Sequence, residues 1–585
     1  MSGELRLPFS ARVSRASDLA AISAVFERAR SEEWATRLAD KDVTLWTRDA
    51  EVQAKIANRL GWLDAPVHFT EQVPALEAFG EKVRDAGFTT AIVAGMGGSS
   101  LAPEVLATAF ASISEWLKIR VCDSTDPEAV AAALAGLNPA KTLVIVASKS
   151  GTTTETLSFA AYAAGWISSA LSAGEDPFAS MIAISDPSPS IDGIPGNERM
   201  LERFLNPADI GGRYSALSFV GLVPASLLGI DLDSLLAAGA VAAAQLREPE
   251  PTANRAVALG VIIGALAREG RDKLTLLVDE PIHGFGAWAE QLVAESTGKQ
   301  GVGVVPVDLE PLGALESYQD DRLFVRIALN GGRAPRAADG TSADTRLNEL
   351  AAAGHPVISY TLSDAIDLGG EFLHWEAATA IAGVVLGINP FDEPNVTESK
   401  QNTTAVLGEL AATGALPELT PKCADGPLQL WVDGALPAAF ADDAVKLVAG
   451  QLQRLAQRGY IGIHAYIATT PERTAALTSL RLLLRDTTHR ATTVGYGPRF
   501  LHSTGQLHKG GAPIGWFIQL VAGRPHDLEI PGSSFTFGQL VDAQALGDAR
   551  SLVAHDLPIL RIHLGSNPDA GLVAVESLFR RALSA

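Results

Sequence analysis

The stretch "TTAIVAGMGGSSLAP", Thr89 to Pro103, decides the fold class. An apolar run, Thr89 to Val93, leads into a glycine-rich turn, and the turn opens a helical pattern. A strand, a glycine turn and a helix N-terminus together make a phosphate-binding arrangement, because the first turn of a helix presents free N–H groups and a positive dipole end. As a dinucleotide fingerprint the turn lacks its third glycine, since Ser100 stands there. No Gly-Lys-Ser/Thr follows, so it is not a nucleotide-triphosphate loop either. What remains is a short turn with two serine hydroxyls, Ser99 and Ser100, and Pro103 is expected in the first helical turn, where a missing N–H costs little.

Working outward, short apolar runs alternate with helical stretches. "TTAIVAG", "KIRVCDS", "TLVIVAS" and "SMIAISD" form a first set. Nearly continuous apolar runs of this kind belong to parallel strands covered on both faces. With helices between them they predict βαβ units and doubly wound parallel sheets, an α/β fold. "REPEPTAN", Arg247 to Asn254, is a polar, proline-rich break. A second set follows, "KLTLLVDEP", "GVGVVPVD", "RLFVRIAL" and "HPVISYTL". After a break at "TGALPELTPKCADGP" comes a third, "PLQLWVDG", "GYIGIHAYI", "ATTVGYGP", "GWFIQLVAG" and "LPILRIHLG". The second and third sets share a strand–helix–strand–helix pattern, which suggests a partial duplication. The organisation expected is a helical N-terminal segment (1–70), a first unit (71–248), a second (249–420) and a third related α/β unit (421–585).

The totals agree with a protein of several domains. The chain has 585 residues, 47% of them hydrophobic and 19% charged, enough apolar material for large cores. Its two cysteines, Cys122 and Cys423, argue against a disulfide framework and for a reducing compartment. The start, "MSGELRLPFSARVSR", has no apolar signal core. The apolar stretch "GLVPASLLGIDLDSLLAAGAVAAA" carries Asp231 and Asp233, which disfavours a membrane span. The expectation is a cytoplasmic protein. A net charge of −21 argues against nucleic acid as a partner.

In a chain this anionic, a phosphate site must gather its own cations and hydroxyls. "SKSGTTTET", Ser148 to Thr156, follows the third strand of the first set with five hydroxyls and one lysine before Glu155, and Thr152 with Glu155 has the spacing of a capping box. These groups suit a compact dianion such as a phosphomonoester. In "GGRYSALSFVGL", Gly211 to Leu222, Arg213 follows two glycines that allow a ligand to approach closely. In "AESTGK", Ala294 to Lys299, Glu295 ends an apolar helix and is a candidate general base. No close His, Cys, Asp or Glu pattern points to a metal.

These four blocks, together with "GINPFDEPNVTESK" (Gly387–Lys400) and "LHSTGQLHKGG" (Leu501–Gly511), resemble the glucose-6-phosphate isomerase family, built from sugar isomerase (SIS) domains. The last two blocks are most similar to the isomerase portion of transaldolase/glucose-6-phosphate isomerase fusion proteins. The resemblance implies two SIS domains plus the third unit, and a reversible glucose 6-phosphate/fructose 6-phosphate exchange through an enediol, in glycolysis and gluconeogenesis. It implies no organic cofactor and no metal.

Carried over residue by residue, Ser148, Lys149, Ser150 and Thr153 form the phosphate cup and Ser99 lies beside it. Gly98, Gly212 and Glu393 line the rest of the pocket. Arg213 stabilises the enediolate, Glu295 shuttles the proton between C1 and C2, and Lys400 and His502 assist ring opening. His508 and His283 compete with His502 for the histidine role.

Two departures stand out. Glu393 occupies the position where the family usually has glutamine, and His502 follows the Lys400 block where ordinary members have it before. Ordinary members take this histidine from the neighbouring subunit, so a homodimer is an expectation, and whether His502 acts in cis or in trans is open. Two other readings share the motifs: a dual phosphoglucose/phosphomannose isomerase, and a non-catalytic SIS module that senses sugar phosphates.

Overall fold

The computed structural model describes residues 6–111, 113–417, 419–433 and 443–584. The first five residues of the N-terminal stretch and Gly434 of "PLQLWVDG" fall outside them. Three sheets organise the chain. The first contains β2 (Thr90–Ala94), β3 (Lys118–Cys122), β4 (Thr142–Ala147), β5 (Met181–Ser185) and β6 (Glu202–Leu205), in the order β3-β2-β4-β5-β6 and all parallel. The second contains β1 (Ser10–Arg12), β7 (Lys273–Val278), β8 (Val305–Val307), β9 (Arg322–Leu329) and β10 (Val357–Leu362), ordered β1-β10-β9-β7-β8. The third contains β11 (Cys423–Asp425), β12 (Leu428–Val432), β13 (Tyr460–Tyr466), β14 (Ala491–Tyr496), β15 (Gly515–Val521) and β16 (Ile559–His563), ordered β11-β12-β16-β15-β13-β14. Every apolar run picked out in the sequence is a strand.

The continuous runs mark the strands covered on both faces: every residue of β2, β4, β5 and β7 is buried. β3, at an edge, is only partly covered. In each sheet the parallel strands start in the middle, add a strand on one side, cross back and continue on the other. The reversal falls between β2 and β4, between β7 and β9, and between β13 and β15. In open α/β sheets that reversal leaves a crevice beyond the strands' carboxyl ends, where ligands bind.

The second and third sheets also share an antiparallel strand beside their last parallel one: β1 on β10 and β12 on β16. Among the described residues the first sheet has no such strand. These pairs add antiparallel edges to the parallel sheets, and Ser10–Arg12 precedes the helices of the N-terminal segment to close an exposed edge of the second sheet. One hydrophobic core runs from Phe9 to Phe391 through the N-terminal segment and the first two units. The third unit has its own, from Leu428 to Ala582. Among the described residues no helix is long and apolar enough to cross a membrane.

Candidate active site

The glycine turn and the hydroxyl loop lie side by side at the reversal point of the first sheet, after β2 and β4. Gly97 has φ +55°, a left-handed conformation open to glycine, and the helix Gly98–Ala109 begins at once. Pro103 therefore sits inside this helix and not in its first turn, because the tight turn starts the helix five residues earlier than expected. A Cβ on Gly98 would lie 1.9 Å from the carbonyl oxygen of Gly212. The two pocket glycines thus meet backbone to backbone, and that contact brings Arg213 to the turn.

In the hydroxyl loop, Ser148 Oγ lies 2.9 Å from Thr153 Oγ1, and Ser150 Oγ 2.9 Å from Thr152 Oγ1. No side chain caps the helix Thr154–Ser168 that follows, so its first N–H groups remain available to an anion. The capping box expected of Thr152 and Glu155 does not form: Glu155 Oε1 instead takes a hydrogen bond from Gln544 Nε2 at 2.7 Å and lies 2.9 Å from His502 Nε2. Lys149 turns its ammonium to Asp186 (2.5 Å) and to the carbonyl of Ala208 (3.1 Å), away from the hydroxyls.

Glu295 lies near the end of the helix Gly284–Thr297, almost fully buried. Arg213 Nη1 donates to its Oε1 at 2.9 Å, and Gln291, one turn earlier, donates to Oε2 at 2.9 Å. Burial pushes the Glu295 carboxyl above the usual carboxylate range against the pull of Arg213, and Glu393 adds to the rise. Arg213 is saturated: it also donates to Ser296 Oγ (2.8 Å), Glu393 Oε2 (3.0 Å) and the carbonyls of Pro390 and Asp392. Glu393, which as a carboxylate would repel a phosphate, is thus neutralised by the guanidinium that also holds Glu295.

The third unit closes the site. Its short helix Gly505–Gly510 packs on the end of the Glu295 helix, where a Cβ on Gly298 would be 2.3 Å from Leu507 Cα. Gln506 donates to the carbonyl of Gly298 (2.9 Å) and accepts from the Asn395 amide (2.8 Å), tying the Glu295 helix to the start of the Lys400 helix. His502 ends the preceding turn. Its carbonyl accepts from Gln291 at 2.8 Å, and an added Cβ on Gly97 would be 2.6 Å from the same oxygen.

His502, Lys400, Glu155, Thr152 and Thr153 line one cleft of about 200 Å³. Burial pushes the Glu155 carboxyl up, but the His502 imidazole and Lys400 outweigh it and hold the group below its ordinary range. His508 is not in this cleft: it is buried with Nδ1 2.8 Å from the Tyr460 hydroxyl, and burial drives its pKa far down. His283 precedes the first residue of the Glu295 helix, about 18 Å along the axis from Glu295.

Sequence reasoning brought Ser148, Thr153, Arg213, Glu295, Glu393, Lys400 and His502 to this region. It missed Gln291, Glu155 as the partner of His502, and Gln544. Gln291 carried a legible signal, four residues before Glu295 on one helix face. Gln544 carried none. Among the described residues no group of three or more His, Cys, Asp or Glu side chains could hold a metal ion.

The family Phosphoglucose isomerase matches residues 40–306, from the N-terminal helices into β8. A glucose-6-phosphate isomerase of Lactobacillus delbrueckii subsp. bulgaricus is 30% identical over 392 residues, 60% of this chain and 86% of that protein. The chain belongs to the glucose-6-phosphate isomerase family.

As a member of that family it is an aldose–ketose isomerase. A glucose-6-phosphate isomerase of Rubrobacter xylanophilus is 27% identical over 58% of this chain and 87% of its own. The crystal structure of a glucose-6-phosphate isomerase from Chlamydia trachomatis superposes with a TM-score of 0.53 at 20% identity, covering 67% of this chain and 86% of that one, a likeness of fold. The matched family region holds the cup, Arg213 and Glu295. Glu393, Lys400 and His502 lie beyond it.

Proposed function

We propose that the chain interconverts glucose 6-phosphate and fructose 6-phosphate through a cis-enediol, in glycolysis and gluconeogenesis. The observation that carries this reading is the Gln291 amide, which donates to Glu295 Oε2 at 2.9 Å and to the His502 carbonyl at 2.8 Å. It fixes the distance between a proton-transfer carboxylate and a ring-opening histidine.

The phosphate sits among the hydroxyls of Ser148, Ser150 and Thr153 at the uncapped helix N-terminus, with Ser99 on the adjoining wall. Lys149 contributes through its backbone N–H, its ammonium being engaged by Asp186. His502, held 2.9 Å from Glu155, and Lys400 pass a proton to the ring oxygen as the sugar opens. Glu295 takes the C2 proton and returns it at C1. Its buried setting brings the basicity of a carboxylate closer to neutral pH. Arg213, its donors already taken, stabilises the oxygen charge of the enediolate through the field of its guanidinium and not by a direct hydrogen bond.

His502 belongs to the same chain as Glu295 here, so one chain supplies every residue of this scheme. A coupled assay with fructose 6-phosphate as substrate and glucose 6-phosphate detected tests the reading, and turnover is expected without added metal. Mannose 6-phosphate in the same assay tests whether the other C2 configuration is accepted. No turnover of fructose 6-phosphate by folded protein would overturn the proposal.

A further inference from the structure

A second polar cavity, of about 240 Å³, lies where strands of all three sheets end: β3 at Asp123–Ser124, β8 at Asp308, β13 at Ile467–Thr469 and β14 at Gly495–Gly497. It is separate from the cleft of Lys400, although Phe500 and Ser503, on either side of His502, lie in its wall.

Arg481, on the helix Pro471–Thr488, lines it and is only 4% exposed. Its Nε donates to the Thr492 carbonyl at 2.8 Å. Its two terminal nitrogens have no hydrogen bond and no carboxylate within ion-pair distance among the described residues. Every other arginine buried to this degree, from Arg213 to Arg485, holds a carboxylate at 3.3 Å or less. A buried guanidinium without a counter-charge is costly, and proteins rarely keep one without a partner.

The other charged groups of the cavity do not supply that partner. Asp123 and Arg499 pair with each other at 3.1 Å, and Arg499 also pairs with Glu104. Glu310, behind Arg481, is taken by Arg322 and Arg485. Glu290 and Asp308 form no ion pair among the described residues. Burial pushes the Glu290 carboxyl up to about 8, with Asp308 adding to the rise, and burial pushes Asp308 up to about 7. In neutral solution both carry protons for much of the time and can donate hydrogen bonds, as can Ser124 and Thr478.

We propose that this cavity is a binding site for a small oxyanion, a carboxylate or phosphate group, seated on the terminal nitrogens of Arg481 with the Ser124 and Thr478 hydroxyls in the same wall. It is independent of the cleft that holds the sugar phosphate. An occupant would bear on the segment that carries His502.

Titration calorimetry of the full chain with inorganic phosphate tests it, and a small hydroxycarboxylate such as D-glycerate distinguishes the two oxyanion classes. Wild type is expected to bind two phosphates per chain. Arg481→Met should bind one, at the cup. The double variant Ser148→Ala/Thr153→Val should bind one, at Arg481, and this stoichiometry separates a failed cup from a failed second site.

Sulfate, which does not titrate near neutrality, should bind the Arg481 site at least tenfold more weakly at pH 8.5 than at pH 6.5, because Glu290 and Asp308 lose their protons as pH rises. Glu290→Gln, which keeps the neutral form found at low pH and so preserves the fold, should recover most of that loss. A single phosphate per chain that persists in Arg481→Met, or sulfate affinity at pH 8.5 unchanged by Glu290→Gln, would overturn the proposal.

Discussion

His502 Nε2 lies 2.9 Å from Glu155 Oε1, although 347 positions separate them in the chain. The two residues come from different units, the histidine from the third and the glutamate from the helix that follows the phosphate loop of the first. Gln544 of the third unit holds the same carboxylate oxygen at 2.7 Å. The third unit thus sets its histidine beside the helix that follows the hydroxyl loop of the same chain.

Mixing two inactive chains therefore should restore nothing. Glu295→Gln and His502→Ala, co-expressed and purified together, each retain what the other lacks. A site shared between subunits would recover a substantial part of the wild-type rate in mixed dimers. With both residues in one chain, the coupled assay is expected to show no recovery above the two parents.

Glu295→Gln is expected to lower kcat by about 10²–10⁴-fold, the range of a general base, while sugar-phosphate affinity measured by calorimetry changes little. The amide oxygen can still accept from Arg213, while its NH2 replaces the oxygen that accepts from Gln291, so one contact is lost and the hydroxyl loop after β4 is untouched. Turnover near the wild-type rate would remove Glu295 from the role of base.

Glu393 raises the Glu295 carboxyl, after burial and against Arg213. Glu393→Gln withdraws that contribution, so the pKa of Glu295 falls. A base with a lower pKa is ionised at lower pH, and the acid limb of the kcat/KM profile should move to lower pH. A shift in the opposite direction, or none, would mean that Glu393 does not act on Glu295 in solution.

Gln544 is buried, accepts from the Thr125 hydroxyl at 2.6 Å and donates to Glu155. Gln544→Leu leaves the Thr125 hydroxyl without its partner and should reduce stability by about 1–3 kcal/mol, read from urea unfolding. It also removes a donor from the Glu155 carboxylate, so Glu155 should titrate at higher pH. The kcat/KM for ring-closed substrate is expected to fall more than the binding affinity does.

Much of this was legible before the fold was known. The apolar runs of β2, β4, β5 and β7 announce parallel strands because both their faces are covered, and the hydroxyls of Ser148–Thr153 announce an anion because nothing else needs them there. Local rules failed where a tertiary partner competed. Thr152 and Glu155 have capping-box spacing, yet Glu155 is drawn off by His502 and Gln544, which share its Oε1 at 2.9 and 2.7 Å. Lys149 reads as a phosphate ligand, yet Asp186, at the end of the neighbouring strand, takes its ammonium. Pro103 reads as a first-turn residue, yet Gly97 at φ +55° starts the helix earlier.

By itself the sequence determined the α/β class, the three sets of strands and the hydroxyl-rich loop after β4. These follow from periodicity and from local hydrogen-bonding capacity, which act over a few residues. Only the tertiary structure decided that Gly98 rests on Gly212, that Arg213 joins Glu295 to Glu393, and that His502 returns across the chain to Glu155. Those relations depend on how three sheets pack against one another. No spacing in the sequence encodes a distance between groups that only the packing of separate units brings together.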